Sequence, residues 1–241
     1  MGRLEEKVAL IFGGGSGIGF ETAKCLAAEG AAVVISSRRE EKNREAVEEI
    51  QRLGGRAAFI SGDYTVPAFI DTVFDFTVRT FGIPDITVNS AGTGMPGDWL
   101  GGVVFEEMER LMKVNVIAPY IVMQKAAGLL QDAGKPGKIM NIGSFRSHYT
   151  GKDGNGPIYA SSKAAIGWLT ESTARVLHKP GNQIAVTLIC PGAVNTEMHD
   201  GYHDNYMDAS TVAQCVLSAA CMPDNATVFD MTMLCTQQNP W

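Results

Sequence analysis

The sequence predicts an α/β fold in which a parallel sheet of about seven strands carries helices on both of its faces. Three observations support this prediction. Short apolar segments rich in β-branched residues alternate with longer amphipathic segments along the chain. A glycine-rich turn joins the first apolar segment to the first amphipathic one. No linker rich in proline or serine interrupts the alternation, so residues 1–241 are expected to form a single domain.

Seven apolar segments are predicted as strands because they are short, β-branched and bounded by turn residues. In chain order they are residues 7–12, 32–37, 56–62, 85–89, 138–143, 183–190 and 227–231. The main amphipathic segments between them are predicted as helices over residues 17–29, 40–53, 67–81, 105–130, 158–178 and 209–220. Long helical connections favour parallel pairing, because antiparallel neighbours need only a short hairpin.

The charge balance and the hydropathy pattern argue against two kinds of partner. A formal net charge of -6 and a pI near 5.3 disfavour nucleic acid, because binding to a phosphate backbone needs clustered cations. No stretch approaches the roughly 18 consecutive apolar residues that span a bilayer, and the N-terminal residues lack the apolar core of a signal peptide. We therefore expect neither a nucleic-acid partner nor a membrane.

The cysteines indicate a reducing compartment. There are five of them, an odd number, and no two form a Cys-x-x-Cys motif. Their neighbours are mostly apolar, so free, buried thiols explain the pattern better than disulfides do. A cytoplasmic location is therefore expected.

The first predicted strand runs directly into the turn Gly13-Gly-Gly-Ser-Gly-Ile-Gly19 and then into a helix. Glycines let the backbone approach a pyrophosphate, and the helix N-terminus supplies amide donors and a positive dipole. A nucleoside-triphosphate loop would need Gly-Lys-Ser/Thr at its end, but Phe20 follows Gly19. The alternative is a tight turn that holds no ligand.

The glycine spacing resembles that of the short-chain dehydrogenase/reductase family, whose fold is a doubly wound, Rossmann-type sheet. Gly13, Gly17 and Gly19 match the family's variant, which differs from the common Gly-x-Gly-x-x-Gly dinucleotide fingerprint. Phe12 stands where the family usually has threonine. We interpret this difference as a packing change that leaves the phosphate site intact.

The end of the second predicted strand indicates which dinucleotide is bound. About 20 residues after a glycine turn, an acidic side chain normally accepts hydrogen bonds from the adenosine ribose. Here Ser37, Arg38 and Arg39 stand instead. A guanidinium pairs with a ribose 2′-phosphate, so the sequence favours NADP over NAD, with Arg38 as the better placed arginine. The alternative is that both arginines only begin the charged, solvated face of the next helix.

Tyr159 and Lys163 are predicted to share one face of a helix, because residues four apart lie one above the other. A free tyrosine has a pKa of about 10, which is too high for base chemistry near neutrality. A nearby ammonium group favours the ionised phenol, so this spacing suits a tyrosine acid/base. Such a pair alone is common on helix surfaces, so the surrounding motifs decide whether it is catalytic.

The context matches the same family over nearly the entire chain. Ser144, at the end of a predicted strand, aligns with the family's catalytic serine, and Asn115 aligns with its catalytic asparagine. The resemblance implies that Tyr159 exchanges a proton with the substrate oxygen and that Ser144 hydrogen-bonds this oxygen. It further implies that Lys163 lowers the pKa of Tyr159 and binds the nicotinamide ribose, and that Asn115 holds a water in a proton relay.

Further cofactor contacts follow from the resemblance. Asp63, after the third strand, aligns with a carboxylate that binds the adenine amino group, although ordinary turn chemistry also explains an aspartate there. Asn89-Ser-Ala-Gly92 resembles the family's Asn-Asn-Ala-Gly motif, and Pro191-Gly-Ala-Val-Asn-Thr196 its Pro-Gly-x-x-x-Thr motif. The expected cofactor contacts are therefore Gly13, Gly15, Ser16, Gly17, Ile18, Gly19, Ser37, Arg38, Arg39, Asp63, Tyr64, Asn89, Ala91, Gly92, Tyr159, Lys163, Pro191, Gly192, Val194 and Thr196.

Two loops and the C-terminal tail are expected around the substrate and at subunit contacts. The polar loop 145–157 should border the substrate, with Arg146, His148 or Tyr149 as contacts, or it is simply solvated. The short segment 197–208 suggests an open pocket with Met198, Tyr202, Tyr206 and Met207 as walls or as plain packing. No metal is expected. The tail ending in Trp241 should pack across a subunit interface of a homo-oligomer, a tetramer or dimer.

The sequence thus predicts an NADP-dependent oxidoreductase that interconverts a carbonyl and a secondary alcohol by hydride transfer. Its substrate is expected to be a small molecule. Two alternatives remain open: an alcohol dehydrogenase that prefers NAD, and a protein that senses a dinucleotide without turning it over.

Overall fold

The computed structural model describes residues 2–94, 105–149, 157–198 and 201–236. The strands are β1 (Val8–Phe12), β2 (Ala32–Ser37), β3 (Arg56–Ser61), β4 (Ile86–Asn89), β5 (Gly137–Ile142), β6 (Ile184–Pro191), β7 (Val194–Asn195), β8 (Met207–Asp208) and β9 (Asp230–Met233). The α-helices are α1 (Gly17–Ala28), α2 (Glu40–Arg52), α3 (Pro67–Thr80), α4 (Phe105–Met112), α5 (Ala118–Asp132), α6 (Pro157–Leu177) and α7 (Ala209–Ala220).

Seven strands form one parallel sheet in the order β3-β2-β1-β4-β5-β6-β9. The order reverses between β1 and β4, so the loops that follow these two strands diverge and leave a crevice at the carboxyl edge of the sheet. The strands β7 and β8 pair separately, beyond this edge. The predicted doubly wound α/β fold is confirmed.

Apolar side chains cover both faces of the sheet. One core cluster contains Leu26 of α1 and Val216 of α7, and the other contains Phe74 of α3 and Met123 of α5. Strands covered on both faces are apolar at most positions, and all five residues of β1 are buried. This explains why these strands appear in the sequence as continuous apolar runs.

Two predicted elements differ from the structure by more than one residue at an end. The helix predicted over residues 105–130 is interrupted by a π-helical turn at Lys113–Ile117, between α4 and α5. The last strand of the sheet is Asp230–Met233, displaced toward the C-terminus from the predicted 227–231. Within the described part of the chain, no helix has the length and apolarity required to cross a bilayer.

Candidate active site

A cleft of about 620 Å³ lies at the carboxyl edge of the sheet, where the strand order reverses. Every predicted catalytic or cofactor-binding residue lines this cleft except Gly19, Asn89 and Asn115. The sequence motifs, which are spread from residue 13 to residue 196, therefore converge on one concave surface. Such a crevice is where α/β proteins of this topology bind their ligands.

The glycine turn between β1 and α1 forms one end of the cleft. Gly13 and Gly17 have φ angles of +81° and +55°, a region that favours glycine. A Cβ at Gly19 would lie 2.2 Å from the carbonyl oxygen of Gly13, so this glycine serves the close packing of helix on turn rather than ligand contact. Ser16 is the N-cap of α1, but its side chain makes no capping hydrogen bond. The first turn of α1 thus has the open amide donors that a pyrophosphate needs.

The end of β2 places Ser37, Arg38 and Arg39 along the cleft. Ser37 Oγ donates to Oδ1 of Asn43, a buried α2 residue whose Nδ2 donates to the Ser37 carbonyl at 3.0 Å. Arg38 and Arg39 are both exposed. Arg39 Nη2 donates to Ser16 Oγ at 2.9 Å and to Glu197 Oε2 at 2.6 Å. Arg39 is therefore paired with a carboxylate in the structure, a contact that the sequence did not predict.

Asp63 and Tyr64 follow β3 and differ in their roles. The Asp63 carboxylate accepts the backbone N–H and the hydroxyl of Thr65, at 2.9 and 2.8 Å. Burial would raise the pKa of Asp63, but these two hydrogen bonds outweigh burial and lower it. The Tyr64 hydroxyl donates to the carbonyls of Val114 and Ala91, and burial raises its pKa. The Tyr64 hydroxyl is thus already hydrogen-bonded within the protein. A contact between Tyr64 and a cofactor would therefore come from its backbone.

Asn89 does not reach the cleft, in contrast to its predicted role as a cofactor contact. Its side chain is buried beneath the sheet edge, where Nδ2 donates to Asn141 Oδ1 at 2.7 Å and to the Pro119 carbonyl at 3.3 Å. Asn141 donates in turn to Thr170 Oγ1 at 2.9 Å. The amide therefore ties β4 to β5 and to α6, and the motif meets the cleft through Ala91 and Gly92.

Ser144 begins a 3₁₀ turn, Phe145–Ser147, directly after β5. Its Oγ accepts the backbone N–H of Arg146 at 3.1 Å, and its own N–H donates to Ser147 Oγ at 3.2 Å. This reciprocal capping fixes the serine at the strand end. The Ser144 hydroxyl also acts to lower the pKa of Tyr159, and both residues line the cleft, so the two side chains can approach a common oxygen atom.

Lys163 lies one helical turn after Tyr159, and its Nζ is 5.9 Å from the centre of the Tyr159 ring. The ammonium donates to the Ile142 carbonyl at 3.0 Å and is buried. Burial lowers the pKa of Lys163 to about 8, although the Cys190 thiol opposes this shift. The lysine can therefore gain or lose a proton close to neutrality.

The pKa of Tyr159 does not shift in the predicted direction. Burial raises it, and the Ser144 hydroxyl and the positive charge of Arg146 only oppose this shift. Lys163 was expected to lower this pKa, but its Nζ is hydrogen-bonded to the sheet and lies 5.9 Å from the ring centre. Arg146, 8% exposed, is thus the cation that acts on the phenol in the structure.

Asn115 occupies the π-helical turn between α4 and α5, and it is buried. Its Oδ1 accepts the N–H of Thr93 at 2.9 Å, and its Nδ2 donates to the Thr93 carbonyl at 2.9 Å and to Ser162 Oγ at 3.1 Å. Ser162 Oγ donates to the Tyr159 carbonyl at 2.7 Å. Asn115 therefore connects the loop after β4 to the helix that carries the tyrosine and lysine.

The remaining predicted contacts lie after β6. Pro191, Gly192, Val194 and Thr196 line the cleft, and so does Met198. By contrast, Tyr202, Tyr206 and Met207, predicted as pocket walls, do not line it. The predictions for residues 150–156 of the polar loop, for His199 and Asp200 and for the end of the tail, residues 237–241 with Trp241, fall outside the described residues.

Sequence reasoning missed three residues of this site, Asn43, Ser162 and Glu197, and gave Arg146 a different role. Glu197 pairs with Arg39, 158 positions away, and Asn43 contacts Ser37 and Ser61, 6 and 18 positions away. No motif of adjacent residues marks either of them. Ser162 lies inside the Tyr-x-x-x-Lys segment, and its position one residue before Lys163 was the available signal. Arg146 was predicted as a substrate contact or as part of a solvated loop, whereas in the structure its positive charge acts on the phenol of Tyr159.

Known proteins share this sequence pattern and fold. The family model described as short chain dehydrogenase matches residues 7–206. An uncharacterised oxidoreductase of Staphylococcus epidermidis is 31% identical over 236 residues, which cover 97% of this chain and 99% of that protein. A 3-beta-hydroxysteroid dehydrogenase of Comamonas testosteroni is 35% identical over 196 residues, which cover 81% of this chain and 74% of that one.

A solved structure has the same architecture. It is a metagenomic short-chain oxidoreductase in complex with NADP, which superimposes with a TM-score of 0.85 at 28% identity and covers 98% of this chain and 100% of that one. The glycine turn and the Ser144–Tyr159–Lys163 group line one cleft of a sheet that this structure shares. The chain therefore belongs to the short-chain dehydrogenase/reductase family of oxidoreductases.

Proposed function

We propose that this protein is an NADP-dependent oxidoreductase that interconverts a small-molecule carbonyl and a secondary alcohol. The observation that carries this proposal is that Ser144, Tyr159 and Lys163 line the same cleft as the glycine turn. Two hydroxyl groups that face one position can hold the oxygen of a carbonyl or an alcohol. The resemblance to a 3-beta-hydroxysteroid dehydrogenase supports this reaction class.

The residues of the cleft fit a dinucleotide. The open first turn of α1 suits the pyrophosphate, and the exposed guanidinium groups of Arg38 and Arg39 suit a ribose 2′-phosphate. The end of β2 carries no carboxylate that would repel this phosphate. The related short-chain oxidoreductase that was solved with NADP gives further support. When bound, the nicotinamide supplies or accepts the hydride.

In this proposal the catalytic side chains divide proton transfer and binding between them. Tyr159 gives a proton to the carbonyl oxygen in reduction and takes it back in oxidation, while Ser144 holds that oxygen by a hydrogen bond. Lys163, whose pKa is lowered to about 8 by burial, binds the nicotinamide ribose and passes the proton onward. A Cβ at Gly92 would lie 3.6 Å from Lys163 Nζ and 3.7 Å from Asn115 Oδ1, so the glycine leaves room for a relay between them.

The experiment follows the absorbance of reduced nicotinamide while the protein acts on ketones, aldehydes and keto acids with NADPH or NADH. The NADPH-dependent reduction of a ketone supports the proposal. Equal or faster turnover with NADH favours the alternative of an NAD-preferring alcohol dehydrogenase. Tight NADPH binding without turnover of any substrate favours the dinucleotide sensor.

Arg38→Ala tests the assignment of the 2′-phosphate. A lost charge-assisted hydrogen bond costs about 1.5–3 kcal/mol, so kcat/KM for NADPH should fall by about 10- to 150-fold while the value for NADH stays the same. Arg44→Ala is the matched control, because Arg44 is exposed on α2 and pairs with Glu40 and Glu41 away from the cleft. An unchanged preference for NADPH in Arg38→Ala would refute the assignment.

The proposal includes a homo-oligomer, a dimer or tetramer, in the cytoplasm. Trp168 and Val176 lie eight residues apart on α6, which places them near the same face, and their exposed fractions are 70% and 61%. Large apolar side chains in such a position favour a contact with a second copy. The mass measured by sedimentation would test the assembly, and removal of residues 237–241 would test the tail.

For the cytoplasmic location, all five cysteines are free, as in a reducing compartment.

A further inference from the structure

Three side chains with different donor atoms meet on the far side of the turn that Ser144 begins. His148 follows that turn, Cys190 lies near the end of β6, and Asp230 begins β9. The distance from His148 Nε2 to Asp230 Oδ2 is 2.8 Å, and Cys190 Sγ lies 3.6 Å from the first atom and 3.9 Å from the second. The fold thus brings one nitrogen, one sulfur and one oxygen donor to a single point.

We propose that His148, Cys190 and Asp230 bind a zinc ion, with a water molecule as the fourth ligand. This site is separate from hydride transfer, and nothing in the proposed reaction requires it. Mixed sulfur, nitrogen and oxygen donors suit Zn²⁺, whereas Mg²⁺ and Ca²⁺ prefer oxygen ligands alone. Three protein ligands and one open position are a common arrangement for zinc.

The distances between the donor atoms are close to those around a tetrahedral zinc ion. With zinc bonds of about 2.0–2.3 Å, the ligand atoms of such a site lie about 3.3–3.6 Å apart. The separation of Cys190 Sγ and His148 Nε2, 3.6 Å, already fits. The contact between His148 and Asp230 would have to widen by about half an ångström, and the contact between Cys190 and Asp230 would have to shorten by about 0.3 Å. Shifts of this size need only small side-chain rotations.

The surroundings of the three side chains suit a bound cation. The thiolate of Cys190 and the carboxylate of Asp230 together balance the two charges of the ion. Burial raises the pKa of Cys190 to about 12 in the metal-free protein, so binding of the ion would have to displace the thiol proton. Sulfur is the buried ligand, because Cys190 has an exposed fraction of 0%.

A groove of about 950 Å³ gives the ion and its water a path to this point. The side chains of His148 and Asp230 line the groove, and each is 37% exposed. Trp168 and Leu188 supply apolar walls. The fourth ligand position therefore faces the groove, while Cys190 closes the site from beneath.

Cobalt binding provides the test, because Co²⁺ replaces Zn²⁺ and its bond to a thiolate produces an intense charge-transfer band in the near ultraviolet. The full chain, treated with a chelator and then freed of it, is titrated with Co²⁺ and afterwards with Zn²⁺. We expect the band to saturate at one equivalent of Co²⁺ and to disappear when Zn²⁺ displaces it. Millimolar Mg²⁺ should not compete.

Variants connect the band to these three residues. Cys190→Ser should abolish it, and His148→Gln and Asp230→Asn should each weaken Co²⁺ binding at least about tenfold. Cys215→Ser is the matched control and should bind like the unmodified chain, because Cys215 is a half-buried thiol outside this cluster. His148 and Asp230 are partly exposed, so their variants carry the test even if Cys190→Ser fails to fold.

Thermal unfolding supplies a second readout that does not depend on the absorbance of bound Co²⁺. Zinc that binds only the folded chain should raise the melting temperature of the unmodified protein and of Cys215→Ser, but not that of His148→Gln. The proposal is overturned if the unmodified chain shows no thiolate band, if Cys190→Ser retains it, or if either His148→Gln or Asp230→Asn binds Co²⁺ with unchanged affinity. The cluster would then be a hydrogen-bonded pair above a buried thiol.

Discussion

Arg39 and Glu197 form a salt bridge, with 2.6 Å between Nη2 and Oε2, that joins the end of β2 to the segment after β7 at the cleft. Both side chains are 54% exposed, and the hydrogen bond from Arg39 lowers the pKa of Glu197. A ribose 2′-phosphate bound at the same end of the cleft would compete with this carboxylate for the guanidinium. The protein thus carries its own anion at the position proposed for the phosphate.

Glu197→Gln should therefore strengthen the binding of NADPH. Exposed salt bridges contribute at most about 1 kcal/mol, so the Kd should fall by up to about fivefold, with a smaller change for NADH. Fluorescence titration of both cofactors measures this difference. Glu40→Gln is the control, because Glu40 pairs with Arg44 on the exposed side of α2. A weaker binding of NADPH to Glu197→Gln would contradict the proposed competition.

Tyr159→Phe should lose turnover while it keeps the cofactor. Removal of the hydroxyl leaves the substrate oxygen without its proton donor, which costs about 10²- to 10⁴-fold in kcat. The Kd of NADPH should change by less than about twofold, because the phenyl ring still fills its place. Tyr120→Phe, on α5 outside the cleft, serves as control. Near-normal turnover of Tyr159→Phe would exclude the tyrosine as the acid/base.

The buried Lys163 should make stability depend on pH. Its pKa is about 8 in the folded chain and about 10.4 when unfolded, so between these values the unfolded chain holds a proton that the folded chain has released. The free energy of unfolding must then rise with pH. From about pH 7.5 to about pH 9 this contribution amounts to about 1 kcal/mol.

Urea unfolding of the cofactor-free protein and of Lys163→Met measures this effect. The methionine variant lacks the titrating group, so the difference in free energy of unfolding between the two proteins should shift by about 1 kcal/mol in favour of the lysine chain across this range. Tyr159, whose pKa is raised by burial, titrates above it. Parallel pH profiles for the two proteins would show that Lys163 keeps its ordinary pKa.

The substitution Phe12→Leu tests whether Phe12 contributes only to core packing or also to phosphate binding. Its side chain is 1% exposed and contacts the rings of Tyr64 and Phe74, with centroids 5.8 and 6.1 Å away. Phe12→Leu should reduce the free energy of unfolding by about 1–2 kcal/mol, because apolar contacts are lost in a closed core. The Kd of NADPH should not change. A large loss of cofactor affinity at unchanged stability would place Phe12 in the phosphate site instead.

The fold and the centre of the site were predictable because local sequence determines them. The glycine turn is a backbone feature of consecutive residues, and Tyr159 and Lys163 are joined by one turn of helix. The alternation of apolar and amphipathic segments fixes a parallel sheet for the same reason. The family resemblance then connected these elements to Ser144 and Asn115.

The rest of the site depends on tertiary contacts that no local pattern encodes. Asn89 follows a strand like a turn residue, yet its amide is buried against Asn141, which is 52 positions away. The pKa of Tyr159 depends on burial, which a sequence does not show. His148, Cys190 and Asp230 meet only because β6 and β9 are neighbours. These features can be identified only from the folded structure.

The π-helical turn at Lys113–Ile117 has a consequence for how the site was assembled. Such a turn amounts to one extra residue within an α-helix, and each residue rotates the helix by about 100°. Removal of one residue here would return the segment to a continuous α-helix and turn Asn115 away from Thr93 and Ser162, unless α4 and α5 changed their faces. The bridge that Asn115 makes between the loop after β4 and the helix of the tyrosine thus depends on one additional residue in this turn.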